Sequence, residues 1–290
     1  MNFKQHKVLW GMAGLVYAFL YLPLIIVVMY SFNDSRLNAE WVGFTLKWYD
    51  VLFNDHQMLT AARNSLVIGV ITSAVSTLLG TMAGFAMYKY KLRLLPILVL
   101  TPIAIPEILM GLSLLVFFVT LNFTLGYVSI TLAHIAFCVG FVAIVVRARL
   151  QGMDESLVEA ARDLGATPIE AFRSITLPLI MPGIIAGALM AFTLSIDDFV
   201  ITYFTAGAGA TTLPLQIYSM LKIAVTPEVN AISSLLMGSV SAFLFSLFGG
   251  LLSLIVMGIL LKAEGRFCSL FGVSVGGAAA HNIGQMAAAV

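Results

Sequence analysis

Three carboxylates interrupt long apolar runs of this sequence: Glu107 in "PIAIPEILMGLSLL", and the neighbours Asp197 and Asp198 in "FTLSIDDFVITYF". An ionised side chain at the centre of a bilayer costs about 2.5–3.5 kcal/mol on insertion scales, so it normally faces a bundle interior and has a task there. No Lys or Arg lies in the same runs to neutralise these acids, which favours a cation supplied by a substrate. Successive helical residues point about 100° apart, so Asp197 and Asp198 cannot share a direction without unwinding. One lines a path while the other bonds to Ser195, Thr202 or an adjacent subunit, and the sequence leaves open which. His134 and Cys138 stand four residues apart on one helix face, a spacing that metal ligands use. With no evident third ligand, a buried histidine hydrogen-bonded within a bundle is the better reading, and no metal site is assigned. There is no HExxH, no GxSxG and no His/Cys cluster, so a membrane enzyme lacks support.

The elements that position these acids are membrane helices. Of 290 residues, 60% are hydrophobic and 10% charged, with a mean hydropathy of +1.02. Soluble domains carry about 25% charged residues. Six candidate spans emerge, at 8–31, 62–88, 94–121, 126–146, 182–206 and 232–261. Each meets the requirement of about 20 apolar residues for a helix that crosses the hydrocarbon core. The expected fold is therefore an all-α membrane protein with six transmembrane helices, a single domain over 1–265. Residues 266–290 read as a disordered Gly/Ala-rich cytoplasmic tail without a role. The first apolar run is longer than the hydrophobic region of a signal peptide, and no small-residue cleavage site follows, so it reads as a retained span. Cys138 and Cys268 suggest no disulfide framework. "GTMAG" (Gly80, Gly84) and "GIIAG" (Gly183, Gly187) carry small residues four apart, the pattern of close helix packing.

Charge distribution orients the chain. With the N-terminus inside, one side carries Lys4, Lys7, Lys89, Lys91, Arg93, Arg147, Arg149, Arg162, Arg173, Lys262 and Arg266. The other carries only Arg36, Lys47, Arg63 and Lys222. That asymmetry places both termini in the cytoplasm. Trp41, Trp48 and Tyr49 then fall in an outer segment as interface anchors, with Trp48 and Glu228 also able to guide a cation. Glu107 lies thirteen residues beyond Leu94, and Asp197 fifteen beyond Pro182. For straight helices both acids come to about 20 Å from the inner face, facing one cavity at similar depth. Pro102 and Pro106 are the residues that would break this geometry.

The inner loop 147–181 is unusually well specified. Asp154 is placed as an N-cap, 155–164 as a helix and Gly165 as its terminator. Thr167, Pro168 and Glu170 then form a capping box for a second helix. Pro178 and Pro182 are read as bounding the next turn. Leu157, Ala160, Ala161 and Leu164 share one side, so the loop presents an ordered apolar knob on which something can dock.

"EAARDLGATPIEAFRSITLP" resembles the EAA motif of ABC-importer permeases, EAA-x3-G-x9-I-x-LP. Glu159, Ala160, Ala161, Gly165, Ile175, Leu177 and Pro178 match it without a gap. In that family the segment is a coupling helix that fits a cleft on the ATPase. The likeness extends from about Leu9 to Leu261 through "YLPLIIVVMYSFNDSR", "GFTLKWYDVLF", "LAHIAFCVGFV", "AFTLSIDDFVI" and "TTLPLQIYSMLKIAVTPEVNA". These resemble the second permease subunit of spermidine/putrescine transporters, with Glu107 where that group usually has Asp. The resemblance implies the type I ABC importer permease fold. It implies an ABC ATPase dimer carrying ATP and Mg, a second homologous permease, an extracytoplasmic binding protein and a polyamine substrate in a bacterial inner membrane. Glu107, Asp197, Asp198, Ser195 and Trp48 become candidates for the substrate path. The chain has no Walker A loop and needs no cofactor of its own. No nucleic-acid partner is indicated. The alternatives are the same machine for an amino acid, iron or another small solute, and an ATP-independent carrier or channel, which would leave the docking loop unexplained.

Overall fold

A computed structural model of the chain describes residues 3–35, 40–90, 93–223 and 226–236. The expectations for Arg36 and Lys91, for most of the 232–261 span, for Lys262, Arg266 and Cys268, and for the 266–290 tail lie outside the described residues. The described chain is helical, and its extended pairing is an isolated antiparallel bridge between Asn33 and Phe44. Two compact units divide it: one holds the described residues up to Asn54 and from Met220, the other Asp55–Ser219.

In the first unit, α1 (Phe3–Tyr30) is followed by an extended turn and the short helix α2 (Lys47–Asn54). Helix α12 (Pro227–Leu236) packs on both. The turn is organised by Asn33, whose amide donates to the Glu40 carbonyl and whose Oδ1 accepts the Val42 N–H. Trp48 is only 5% exposed, and its indole N–H donates to the Asn33 carbonyl at 2.8 Å. It is thus a core residue of this unit rather than the interface anchor expected from its place in an outer segment. Burying the ring satisfies its one donor on a turn carbonyl.

The second unit is built on α3 (His56–Lys89), α6 (Tyr127–Gln151) and α9 (Leu177–Asp197). Asp55 caps α3 by accepting the N–H groups of Gln57 and Met58. Both glycine pairs are spent on α6. A Cβ on Gly80 would lie 2.6 Å from the Val142 Cβ, and one on Gly84 would lie 2.8 Å from the Ala143 carbonyl oxygen. Gly183 and Gly187 meet Arg149 and Val142 in the same way. Close backbone approach is what small residues allow where lipid supplies no hydrophobic drive between helices. Val142, Val146, Leu150, Ile180 and Ala191 fill the seam.

Two expected spans are broken. The run 94–121 is α4 (Leu94–Ala104) and α5 (Glu107–Thr120), bent by 109°. Pro106 disfavours helical backbone at Ile105, and both residues are extended. The depth of Glu107 deduced for a straight helix is corrected accordingly. The run 182–206 is broken at Asp198, after which α10 (Val200–Thr205) resumes.

The loop 147–181 also differs from its expected boundaries. Helix α7 (Ser156–Asp163) ends at Gly165, whose φ of +94° suits glycine. The Ala166 N–H reaches the Ala161 carbonyl, and the Gly165 N–H that of Arg162, a Schellman closure. Thr167 and Glu170 form the capping box of α8 (Pro168–Ala171). No turn follows: Pro178 and Pro182 sit inside a helix. A π-helical turn at Phe172–Thr176 joins α8 to α9, so one rod runs from Pro168 to Asp197. The Leu177 N–H bonds five residues back to Phe172, and this wide turn gives the Pro178 ring room that a regular α-helix would deny it. Helix α11 (Leu213–Ile223) lies in the expected outer segment.

Among the described residues, α3, α6 and the Pro168–Asp197 rod are long and apolar enough to cross a membrane, with α4 and α5 a fourth if they form one broken span.

Candidate functional site

The break at Asp198 divides the acid pair. Asp198 has an extended ψ of 120° and turns its carboxylate inward, where it is nearly buried. Its Oδ2 accepts the Thr202 N–H at 2.8 Å and the Thr202 hydroxyl at 2.9 Å, and its Oδ1 accepts the Ile201 N–H at 3.3 Å. These are the orphan donors at the start of α10, so Asp198 caps that helix. His134 of α6 completes the cluster. It is 1% exposed, with Nε2 3.1 Å from the Asp198 Oδ2 and 2.9 Å from the Thr202 hydroxyl. Its Nδ1 lies 2.8 Å from the Ser195 hydroxyl. An ionised carboxylate only accepts, so the network assigns the proton to Nε2. His134 and Ser195 thus belong to a polar lock between α6, α9 and α10. Cys138, one turn further along α6, donates to the Ala191 carbonyl at 3.6 Å.

Asp197 is the last residue of α9 and is exposed. Glu107 opens α5 and is exposed as well. Among the described residues neither has an ion-pair partner. Each of these acids stands at a helix break, and α5 packs on α10. The contact is made at Gly111, one turn beyond Glu107, where a Cβ would lie 2.7 Å from the Phe204 ring. Trp48, a further candidate for the path, is buried. Beyond its burial, the face of its ring is covered by the Lys47 ammonium, 5.2 Å from the centroid.

The loop 147–181 forms a second candidate surface. Glu159 and Ala160 of α7 are exposed, Ala161 is half-buried, and Gly165 is exposed in the turn. Leu164 is 90% and Ile169 78% exposed, with Leu157 beside them on α7. Ile175 is half-buried in the π-helical turn, Leu177 is half-buried at the start of α9, and Pro178 is exposed. Asp154 accepts the Ser156 N–H at 3.0 Å, and its bonds to Ser156 hold its carboxyl below the usual range. The loop is fastened to the end of α3: Tyr88 hydrogen-bonds Glu155, and the Phe85 and Phe172 rings meet edge to face at 5.3 Å. The Arg149 Nε–H donates to the Leu179 carbonyl and joins the ends of α6 and α9. These fastenings escaped sequence reading, because each joins residues far apart in the chain.

Residues 76–263 match the model of a family described as the binding-protein-dependent transport system inner membrane component. The chain belongs to that family. It is a membrane transport component with the permease fold, helical throughout its described elements. The chain is 43% identical over 230 residues to the spermidine/putrescine transport system permease protein PotC of Escherichia coli (strain K12), covering 78% of this chain and 87% of that protein. It is 42% identical over 234 residues to the putrescine transport system permease protein PotI of the same strain, covering 77% and 83%. PotC of Haemophilus influenzae is 39% identical over 228 residues, covering 76% and 87%. A solved bacterial ABC transporter that imports the acidic polysaccharide alginate shares the fold. Its TM-score is 0.62 at 16% identity, over 91% of this chain and 96% of that chain.

Proposed function

We propose that this transport component is the second permease subunit of an ATP-driven polyamine importer, and that Asp197 and Glu107 line its half of the path. The observation that carries the reading is the pair of exposed carboxylates, without an ion-pair partner among the described residues, each at a break in an apolar helix. Broken helices in membranes bring irregular backbone and polar groups to a transported solute. An aliphatic polyamine brings the ammonium groups that such acids lack. The kinship with spermidine and putrescine permeases points to the same substrates. Asp198 and Ser195 support the path from behind, through His134.

In this reading six spans cross the inner membrane with both termini in the cytoplasm. Residues 147–181 dock on an ABC ATPase dimer, a second permease closes the pathway, and a binding protein delivers substrate from outside. Glu159, Ala160, Ala161 and Gly165 shape the knob, while Ile175, Leu177 and Pro178 join it to α9. ATP binding on the partner moves the knob and switches access.

The test is uptake of labelled spermidine and putrescine by the reconstituted complex, with ATP hydrolysis followed in parallel. Polyamine uptake tied to hydrolysis is expected. If neither amine is taken up or stimulates hydrolysis through the binding protein, the substrate assignment falls.

A further inference from the structure

Three aromatic side chains follow the acid break directly. Phe199 stands two residues beyond Asp197, Tyr203 one turn later on α10, and Tyr218 on α11. The Phe199 ring centroid is 4.5 Å from that of Tyr218 and 5.6 Å from that of Tyr203. Tyr203 and Tyr218 are 6.4 Å apart with ring planes at 80°, so the rings form a corner with two faces nearly perpendicular. Tyr203 in turn meets Phe204 edge to face, the ring against which Gly111 of α5 packs.

The corner is open. Tyr203 is 55% and Tyr218 44% exposed. Aromatic rings at this position could belong to an interfacial girdle facing lipid. The chain segment argues otherwise, because Asp197, two residues before Phe199, exposes a carboxylate that cannot face hydrocarbon without a large cost. An exposed carboxylate followed so closely in the chain by exposed rings fits a particular chemistry. The acid attracts an ammonium, the rings accept a cation through their negative faces, and their apolar area covers methylenes.

We propose that Phe199, Tyr203 and Tyr218 form a cation-accepting corner that receives an ammonium group and the adjoining methylenes of an aliphatic polyamine beside Asp197. This rests on the polyamine-importer reading and adds to it a residue set with a different physical role. The acid sets the sign of the charge admitted. The rings favour an alkylammonium over a hydrated inorganic cation, because an inorganic ion brings no methylenes to cover them. Phe199 contributes its face without a hydroxyl, so the corner does not depend on hydrogen bonding for its cation affinity.

The experiment uses the assembled importer in proteoliposomes, with polyamine-loaded binding protein at saturation and labelled putrescine and spermidine as probes. Tyr203→Leu and Tyr218→Leu are compared with Tyr203→Phe and Tyr218→Phe, and with Asp197→Asn run in parallel. Leucine keeps apolar bulk and removes the ring face; phenylalanine keeps the face. Each leucine variant should lower the uptake rate by roughly two- to thirty-fold, the range expected for losing one cation–π contact. Each phenylalanine variant should restore most of it. Co-purification of the partner subunits with every variant establishes that the complex is intact.

Wild-type uptake in both leucine variants overturns the corner, as does equal damage from phenylalanine and leucine, which would assign the effect to the hydroxyls. Loss of partner subunits from the leucine variants overturns it too, placing the rings in a subunit interface. If Asp197→Asn stops uptake while the leucine variants transport normally, only the aromatic proposal falls. If Asp197→Asn, Glu107→Gln and both leucine variants all transport normally, the acidic path falls with it.

Discussion

Replacing His134 with alanine removes an imidazole that is buried to 99% and touches three polar partners. Asp198 would keep the Thr202 and Ile201 N–H groups and the Thr202 hydroxyl, so its carboxylate is not stripped of donors. What is lost is one charge-assisted hydrogen bond, worth about 1.5–3 kcal/mol. A ring-sized void and an unpaired Ser195 hydroxyl add to this and bring the total to about 3–5 kcal/mol, the range for breaking a buried pair from one side. At about 2–4 °C per kcal/mol, the apparent Tm of the purified complex should fall by roughly 10 °C. His134→Gln can keep a donor near the Nε2 position and should lose about half as much. Fluorescence-detected size-exclusion chromatography after heating measures both. In an Asp198→Asn background the cost of His134→Ala should shrink by about 1.5–3 kcal/mol, because the charge it served is gone. A melting point within 2 °C of wild type for His134→Ala, or an undiminished cost in the Asp198→Asn background, refutes the lock.

The divided pair makes a second prediction: Asp197→Asn should abolish uptake with the complex intact, whereas Asp198→Asn should lower stability first, as uptake and melting of the two variants will show. Gly165→Asp forces a side chain onto a φ of +94° and should uncouple ATP hydrolysis from uptake without changing the binding protein's affinity for polyamine. Normal coupled uptake would count against the docking role of the loop. Thr167→Ala removes the N-cap of α8 and should cost about 1 kcal/mol, read as a lower apparent Tm. Gly80→Val places side-chain atoms where Val142 already stands and should reduce the yield of folded complex sharply, whereas Gly14→Val, with open space around it, should not.

The local signals were legible because their physics is local. The capping box of Thr167 and Glu170, the glycine stop at 165 and the small-residue seams all follow from side chains within a turn or two of one another. The apolar runs likewise gave the courses of α3 and α6. The break at Ile105 was foreshadowed by Pro106, but its 109° angle depends on how α4 and α5 pack. The prolines at 178 and 182 misled: a preceding π-helical turn, which leaves no clear mark in sequence, lets the helix pass Pro178, and Pro182 sits inside α9. The fate of the acid pair was hidden for another reason. Asp198 is held by His134, 64 residues away, and that partnership exists only once α6 and α9 have met. The aromatic corner joins Phe199 to Tyr218 in the same non-local way, although the Phe199–Tyr203 spacing just after two acids was a signal that could have drawn notice.

The unbroken rod from Pro168 to Asp197 has a mechanical consequence. Thirty residues of helix span about 45 Å, with the docking knob at one end and the acid break at the other. A tilt of about 10° about the middle of the rod, where Gly183 and Gly187 stand roughly 15–21 Å from Asp197, would carry that end through roughly 3 Å, enough to move a carboxylate out of hydrogen-bonding range. The seam on α6, where Gly183 and Gly187 let the rod lie close, is a natural fulcrum. In such a lever the knob and the acid are two ends of one rigid part, and in the proposed importer the timing of cation release would be set by whatever moves the knob.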